Sequence, residues 1–216
     1  MNLEAGIRDD RVDSPEEEHA CRQLAMTLLQ VTAGWNVAEG VVAVTSGVAA
    51  GSVALVGFGL DSFIELTAAL ILMWRLRVGD GDPRVEAREL MARRIVGATF
   101  IFLALFILAE VVYALESGHE PNTSAVGLTL ALLSLALMPT VGLMKRRNAK
   151  RLGSPALVAE STETLVCSYL SFTLLIGLGA NALLGWWWAD LVAALAMVPW
   201  ILKEGIEGIR GEACED

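Results

Sequence analysis

The stretch VALVGFGLDSFIELTAALILMW, Val53 to Trp74, decides the fold. It is apolar over about the roughly 20 residues that a helix needs to cross a bilayer. It contains no Lys or Arg, yet it carries two acids, Asp61 and Glu65. Alternation with a period of two is absent, so a helix is expected rather than a barrel strand. An acid near the bilayer centre costs on the order of 3 kcal/mol on insertion scales, and such residues face a polar cavity or a partner. A membrane-crossing helix with one polar face is therefore the starting point.

Similar apolar segments lie on both sides of it. Leu24–Ala50 precedes it, and Ile95–Leu115, Ser124–Leu143, Pro155–Leu184 and Trp187–Leu202 follow. Gly153 followed by Ser154-Pro155 marks a helix stop and a new start. The composition agrees: of 216 residues 55% are hydrophobic and 19% charged, and mean hydropathy is +0.55. A disordered or fibrous chain is excluded. The net charge of -9 argues against a nucleic-acid partner. Cys21, Cys167 and Cys214 are odd in number and far apart, so no disulfide framework is expected. The expected fold is an all-α integral membrane protein with six transmembrane helices.

Charge placement predicts its orientation. The 2–3 connection carries Arg75, Arg77, Arg84, Arg88, Arg93 and Arg94, and the 4–5 connection carries Lys145, Arg146, Arg147, Lys150 and Arg151. The other three connections hold no Lys or Arg. By the positive-inside rule both termini and the two basic connections are cytoplasmic, with Trp186, Trp187 and Trp188 as an outer aromatic anchor. The chain divides into an acidic cytosolic tail (1–22), the six-helix domain (23–208) and a short cytosolic tail (209–216). The first tail lacks the basic start and early apolar core of a signal peptide. Its run Glu16-Glu17-Glu18-His19 is read as a solvated acidic surface. Gly40, Gly47, Gly51, Gly57 and Gly59 are expected to serve close helix packing, with Gly47 and Gly51 as a GxxxG pair.

The informative residues are the acids inside the apolar segments: Glu39, Asp61, Glu65, Glu110, Glu160, Glu163 and Asp190. No Lys or Arg is expected at matching depth to pair with them. Asp61 and Glu65 are i, i+4 and share one helical face. Glu163 and Cys167 share a face in the same way, with Glu160 one turn earlier. The second and fifth helices run in opposite directions, so packing side by side sets Glu65 near Glu163 and Asp61 near Cys167. Three carboxylates and a thiol can surround a divalent ion. Zinc accepts O and S ligands, whereas a thiolate disfavours Mg²⁺ and Ca²⁺. Metal ligands must be deprotonated, so protons compete with metal, and a site that takes either one suits a proton/metal antiporter. Other readings stand beside this. Asp61 and Glu65 could be hydrogen-bonded structural acids, and Cys167 a small buried hydrophobe. Asn36 and Glu39 share a face of the first helix and could extend the site, relay protons or cap a polar packing patch. Glu160 could line a cytosolic entry or bond to a neighbouring helix. Glu110 and Asp190 are read as structural.

These residues resemble the cation diffusion facilitator family. The stretch GSVALVGFGLDSFIE is similar to the family's second-helix pattern and places Asp61 and Glu65 on its two ligand positions. The stretch SPALVAESTETLVCSYLS is similar to the fifth-helix pattern. It places Glu160 on an acid of that pattern, Glu163 on the usual His position and Cys167 on the final Asp position. The WWWAD segment resembles the start of the sixth helix. The resemblance covers about Gly34 to Gly208. It implies a non-enzymatic, proton-coupled exporter of a divalent metal that acts as a homodimer, here in a bacterial plasma membrane. The Glu163 and Cys167 departures leave the cargo between Zn²⁺, the first choice, and Cd²⁺, Fe²⁺ or Mn²⁺. Typical members continue into a soluble C-terminal domain, which the chain ending at Asp216 is expected to lack. Two rivals remain: an intramembrane aspartyl hydrolase built around GFGLD, which needs two carboxyls sharing a proton, and a membrane assembly protein whose acids only hydrogen-bond.

Overall fold

The computed structural model describes residues 14–78, 83–118 and 121–210. Expected features at 1–13 and 211–216, Cys214 among them, lie outside the described residues. Among the described residues six α-helices follow one another: α1 (Pro15–Ala50), α2 (Val53–Val78), α3 (Pro83–Ser117), α4 (Ala125–Leu152), α5 (Pro155–Leu184) and α6 (Trp188–Arg210). Their ends have local causes. Ser14 caps α1 by accepting from the Glu17 amide, Pro15 stands at the first helical position, and Glu16, Glu17 and Glu18 complement the helix dipole. Residues 15–22, expected as tail, are thus the first turns of α1. Ser154 caps α5 by accepting from the Leu157 amide, as the Gly-Ser-Pro run suggested. Gly51 and Gly153 close α1 and α4 at φ 68° and 59°, a left-handed conformation that glycine adopts without strain.

Among the described residues four stretches are long and apolar enough to cross a membrane: Val53–Arg77, Gly97–Ser117, Ala125–Leu152 and Ala156–Leu184. The helices α1 and α6 are more polar, with Gln30, Asn36 and Glu39 in one and Asp190, Lys203 and Glu204 in the other. The exterior is apolar: Phe102 is 73% exposed and Leu183 86%, and Leu132, Phe172 and Ile176 also project outward. Water would not tolerate such a surface, and lipid requires it. The protein is a multi-pass integral membrane protein.

Contacts between helix ends fix the directions. The Asn122 amide donates to the Ala50 carbonyl at 2.7 Å and Asn181 Nδ2 to the Pro121 carbonyl at 2.9 Å. The end of α1, the entry to α4 and the end of α5 therefore lie together. At the opposite end, Asn148 Nδ2 donates to the Cys21 carbonyl at 2.8 Å, joining the end of α4 to the beginning of α1. That end also carries Arg75, Arg77, Lys150 and Arg151 and is the basic end of the bundle.

Helices α1 and α2, α4 and α5, and α3 and α6 pack as close pairs, and α2 also touches α3, α5 and α6. Glycines set the spacing. A Cβ at Gly47 or Gly59 would lie 2.8 Å from atoms of the facing helix, so α1 and α2 nearly touch along their backbones. Gly97 and Gly205 do the same for α3 and α6. Behind these contacts Phe58, Leu103, Ile107, Leu170, Leu174 and Met197 form the main apolar core.

Candidate metal site

Asp61 and Glu65 lie on the buried stripe of α2 that also includes Phe58, Ser62, Ala69 and Leu72. They face a small pocket bounded by Glu163 and Val166 of α5, Phe100 of α3, and Trp200, Ile201 and Glu204 of α6. Four acids from three helices thus line one space. Asp61 and Glu65 are 5% and 2% exposed. Glu65 Oε2, Glu163 Oε2 and Glu204 Oε1 are buried without a hydrogen-bond partner from the chain. Buried acceptors of this kind are costly, and a cation or proton would satisfy them. The expected approach of Glu163 to the α2 pair is thus present as a shared pocket.

Cys167 lies beside Glu65, as expected of the α5 turn that follows Glu163, and the charge of Asp61 also reaches it. It is buried but does not line the pocket, and its Sγ donates to Glu39 Oε2 at 3.8 Å. Ser62 Oγ donates to the same oxygen at 3.0 Å, while Glu39 Oε1 has no partner. Asn36 is fully buried with both its polar side-chain atoms unpartnered. Asn36 and Glu39 of α1, Ser62 of α2 and Cys167 of α5 therefore form a polar patch that borders Glu65. Among the described residues no three His, Cys, Asp or Glu side chains close on one point as a ready-made ion cage.

One expectation fails outright. The acids were expected to have no Lys or Arg at their depth, yet Lys145 is 2% exposed and forms an ion pair with Glu160. Lys145 Nζ also donates to Thr32 Oγ1 at 2.8 Å and to Thr164 Oγ1 at 3.0 Å. The physical reason is the length of α4. The helix continues to Leu152, so Lys145 extends the buried stripe of Gly127, Ala131, Ser134, Met138, Gly142 and Ala149. It is the inward member of a basic run whose neighbour Arg146 lines an outer groove. Glu160 thus bonds to a neighbouring helix through one oxygen, while its Oε2 is buried without a partner from the chain.

Asp190 is structural, as expected: it accepts from Ser52 Oγ at 2.5 Å and from the Ala54 amide at 3.4 Å, holding the start of α2. Glu110 is half-buried on α3 and does not line the pocket. Glu204 was missed. It sits between Lys203 and Glu207 near the end of an apolar run, where charges ordinarily mean solvent. Its signal is its place one turn after Trp200 and Ile201, on the inward stripe of α6. Val166, Trp200 and Glu204 also line a groove between α4, α5 and α6 with Arg146, Thr162 and Lys203, so the pocket adjoins a route to the basic end.

The family profile described as the cation efflux transmembrane domain matches residues 29–211. An uncharacterized transporter of Synechocystis sp. is 28% identical over 176 residues, 76% of this chain and 57% of its own length. Magnetosome protein MamB of Magnetospira sp. is 28% identical over 167 residues, 74% of this chain and 57% of its own. Transmembrane protein 163 of Xenopus laevis is 24% identical over 162 residues, 75% of this chain and 57% of its own. The chain thus spans a little over half the length of these relatives. A profile that runs from within α1 to the end of α6, over a helical bundle with acids gathered inside it, shows that the chain belongs to the cation efflux family of membrane transporters.

Proposed function

We propose that this chain carries a divalent transition-metal ion across the bilayer, with protons as the coupling ion. The carrying observation is the pocket lined by Asp61, Glu65, Glu163 and Glu204, three of which each keep an unpartnered buried oxygen. Asp61, Glu65 and Glu163 are the ligands in this reading, with Cys167 as an additional donor one turn along α5. Glu204 receives the ion from the groove at the basic end. By the positive-inside rule that end and both termini face the cytosol, so the ion is loaded there and exported. Zn²⁺ is the first cargo because it accepts O and S donors alike. The oxygen-only lining makes Fe²⁺ and Mn²⁺ the comparison ions, and Cd²⁺ tests the thiol. The homodimer and the bacterial plasma membrane that the family resemblance implies complete the reading.

The chemistry follows from the ligand type. Carboxylates must shed protons to hold metal, so loading releases protons and unloading on the far side takes them up. Acidifying the loading side therefore weakens apparent metal affinity. Alternating access would come from the paired α3 and α6 shifting against α2 and α5, because the pocket lies in the seam between them.

The test uses purified protein in liposomes with an acidic lumen. Added Zn²⁺ should enter while the lumen loses protons, and Asp61→Asn or Glu163→Gln should each stop both fluxes. Transport that survives both substitutions would show that the ion does not use this pocket.

A further inference from the structure

We propose that Lys145 is a positioning residue for the ion site, acting on Glu65 through the hydroxyl of Thr164. The inference rests on the metal-carrying reading above and adds what sets the site's geometry. An ammonium has three N–H donors and no acceptor. Lys145 directs one donor to Thr32 of α1, one to Thr164 of α5 and one to Glu160 of α5. Thr164 Oγ1 therefore receives from Nζ and retains its single proton to give. Two acceptors lie within reach: Glu65 Oε1 at 2.8 Å and the Glu160 carbonyl at 3.3 Å. The shorter contact, to a carboxylate, prevails. A directed chain runs from Lys145 to Thr164 to Glu65, and each link polarises the next.

Its consequence is a divided carboxylate. Glu65 Oε1 is anchored, while Oε2 is left unpartnered on a residue that lines the pocket. The same ammonium engages Glu160, which does not line that pocket. One buried cation thus anchors one oxygen of Glu65 through Thr164 and one oxygen of Glu160 directly, and of these two acids it is Glu65 that lines the pocket. Partners that orient metal ligands in this way typically contribute 10–100-fold to metal affinity.

Thr164→Val tests the link, since it nearly keeps the side-chain shape and spares the Lys145–Glu160 pair. Zn²⁺ affinity of the purified full chain, measured by competition with a fluorescent chelator, should fall about tenfold or more. Thr164→Ser should restore it. Thr173→Val, which removes a hydroxyl bonded only within α5, should leave affinity unchanged. Lys145→Met strands Glu160 as a lone buried acid, so the paired variant Lys145→Met/Glu160→Met replaces it and should match the loss of Thr164→Val. Melting temperatures recorded alongside separate loss of fold from loss of affinity. Wild-type affinity in Thr164→Val, or an equal loss in Thr173→Val or Thr164→Ser, overturns the role of Lys145. Wild-type affinity in Asp61→Asn would instead overturn the ion site itself.

Discussion

Glu163 and Cys167 are one helical turn apart on α5 and both neighbour Glu65, yet of the two only Glu163 lines the pocket. Glu163 faces Asp61 and Glu65 across the pocket, whereas the Cys167 thiol donates to Glu39. The i, i+4 rule is a statement about one helix. It gives the face, and the neighbour on that face changes along the helix because packed helices cross. This is why the acid pair of α2 and the approach of α5 to it were legible in the sequence, while the bond from Cys167 to Glu39 of α1 was not. The thiol yields a prediction at the same scale. As an added donor, Cys167 favours soft ions, so Cys167→Ser should weaken Cd²⁺ and Zn²⁺ binding by a larger factor than Mn²⁺ binding. Competition titrations with the three ions measure this. Equal factors for all three would leave Cys167 as a hydrogen-bond donor to Glu39 and nothing more.

Elements hide what single residues cannot show. The order of the helices, the Ser154-Pro155 start and the inward face of α2 could be read from apolar runs and capping residues. Lys145 could not be read by charge alone, because a cluster of Lys and Arg after an apolar run ordinarily marks the end of a span. Its seven-residue offset from Met138 places it on the inward stripe of α4, and that periodicity was the available signal. The pairing of α3 with α6 was equally silent, since Gly97 and Gly205 are far apart in sequence. A Cβ at Gly97 would lie 2.7 Å from the Ile209 backbone nitrogen and 2.8 Å from the Gly205 carbonyl oxygen. Backbone cannot step aside as a side chain can, so the two helices must separate. Gly97→Ala should therefore destabilise the bundle by about 1–3 kcal/mol. It should also slow transport, because Phe100, Trp200 and Ile201 on the same pair wall the pocket. Gly34→Ala, with nothing within 4 Å of its added Cβ, is the control. Thermal unfolding in detergent checks the first effect, and equal melting temperatures for the two variants would contradict it.

Over the whole molecule, the bundle has one basic end and one end without surface cations in its connections. The pocket adjoins, through its shared Val166, Trp200 and Glu204 walls, the groove beside Arg146 and Lys203 at the basic end. Cations at the rim of an entry for cations look unfavourable at first. The balance inside decides the matter: among the described residues Asp61, Glu65, Glu163 and Glu204 line the pocket without a Lys or Arg, while Lys145 forms its ion pair with Glu160 outside that lining. The field drawing an ion inward arises in the low-dielectric interior, where it is screened far less than the charges at the rim. Direction of transport then depends on which way the basic end faces. The positive-inside rule counts cations near the surface, so Lys145, being buried, drops out of that count, while Arg75, Arg77, Lys150 and Arg151 remain. Exposed turns at Gly118, Gly153 and Gly185 have open space around them and accept insertions. An epitope inserted after Gly118 or Gly185 should bind antibody on intact spheroplasts. The same epitope after Gly153 should bind only once the membrane is permeabilised. The opposite pattern would turn the groove to the outside and make the loading step an uptake step, with the proton flux reversed along with it.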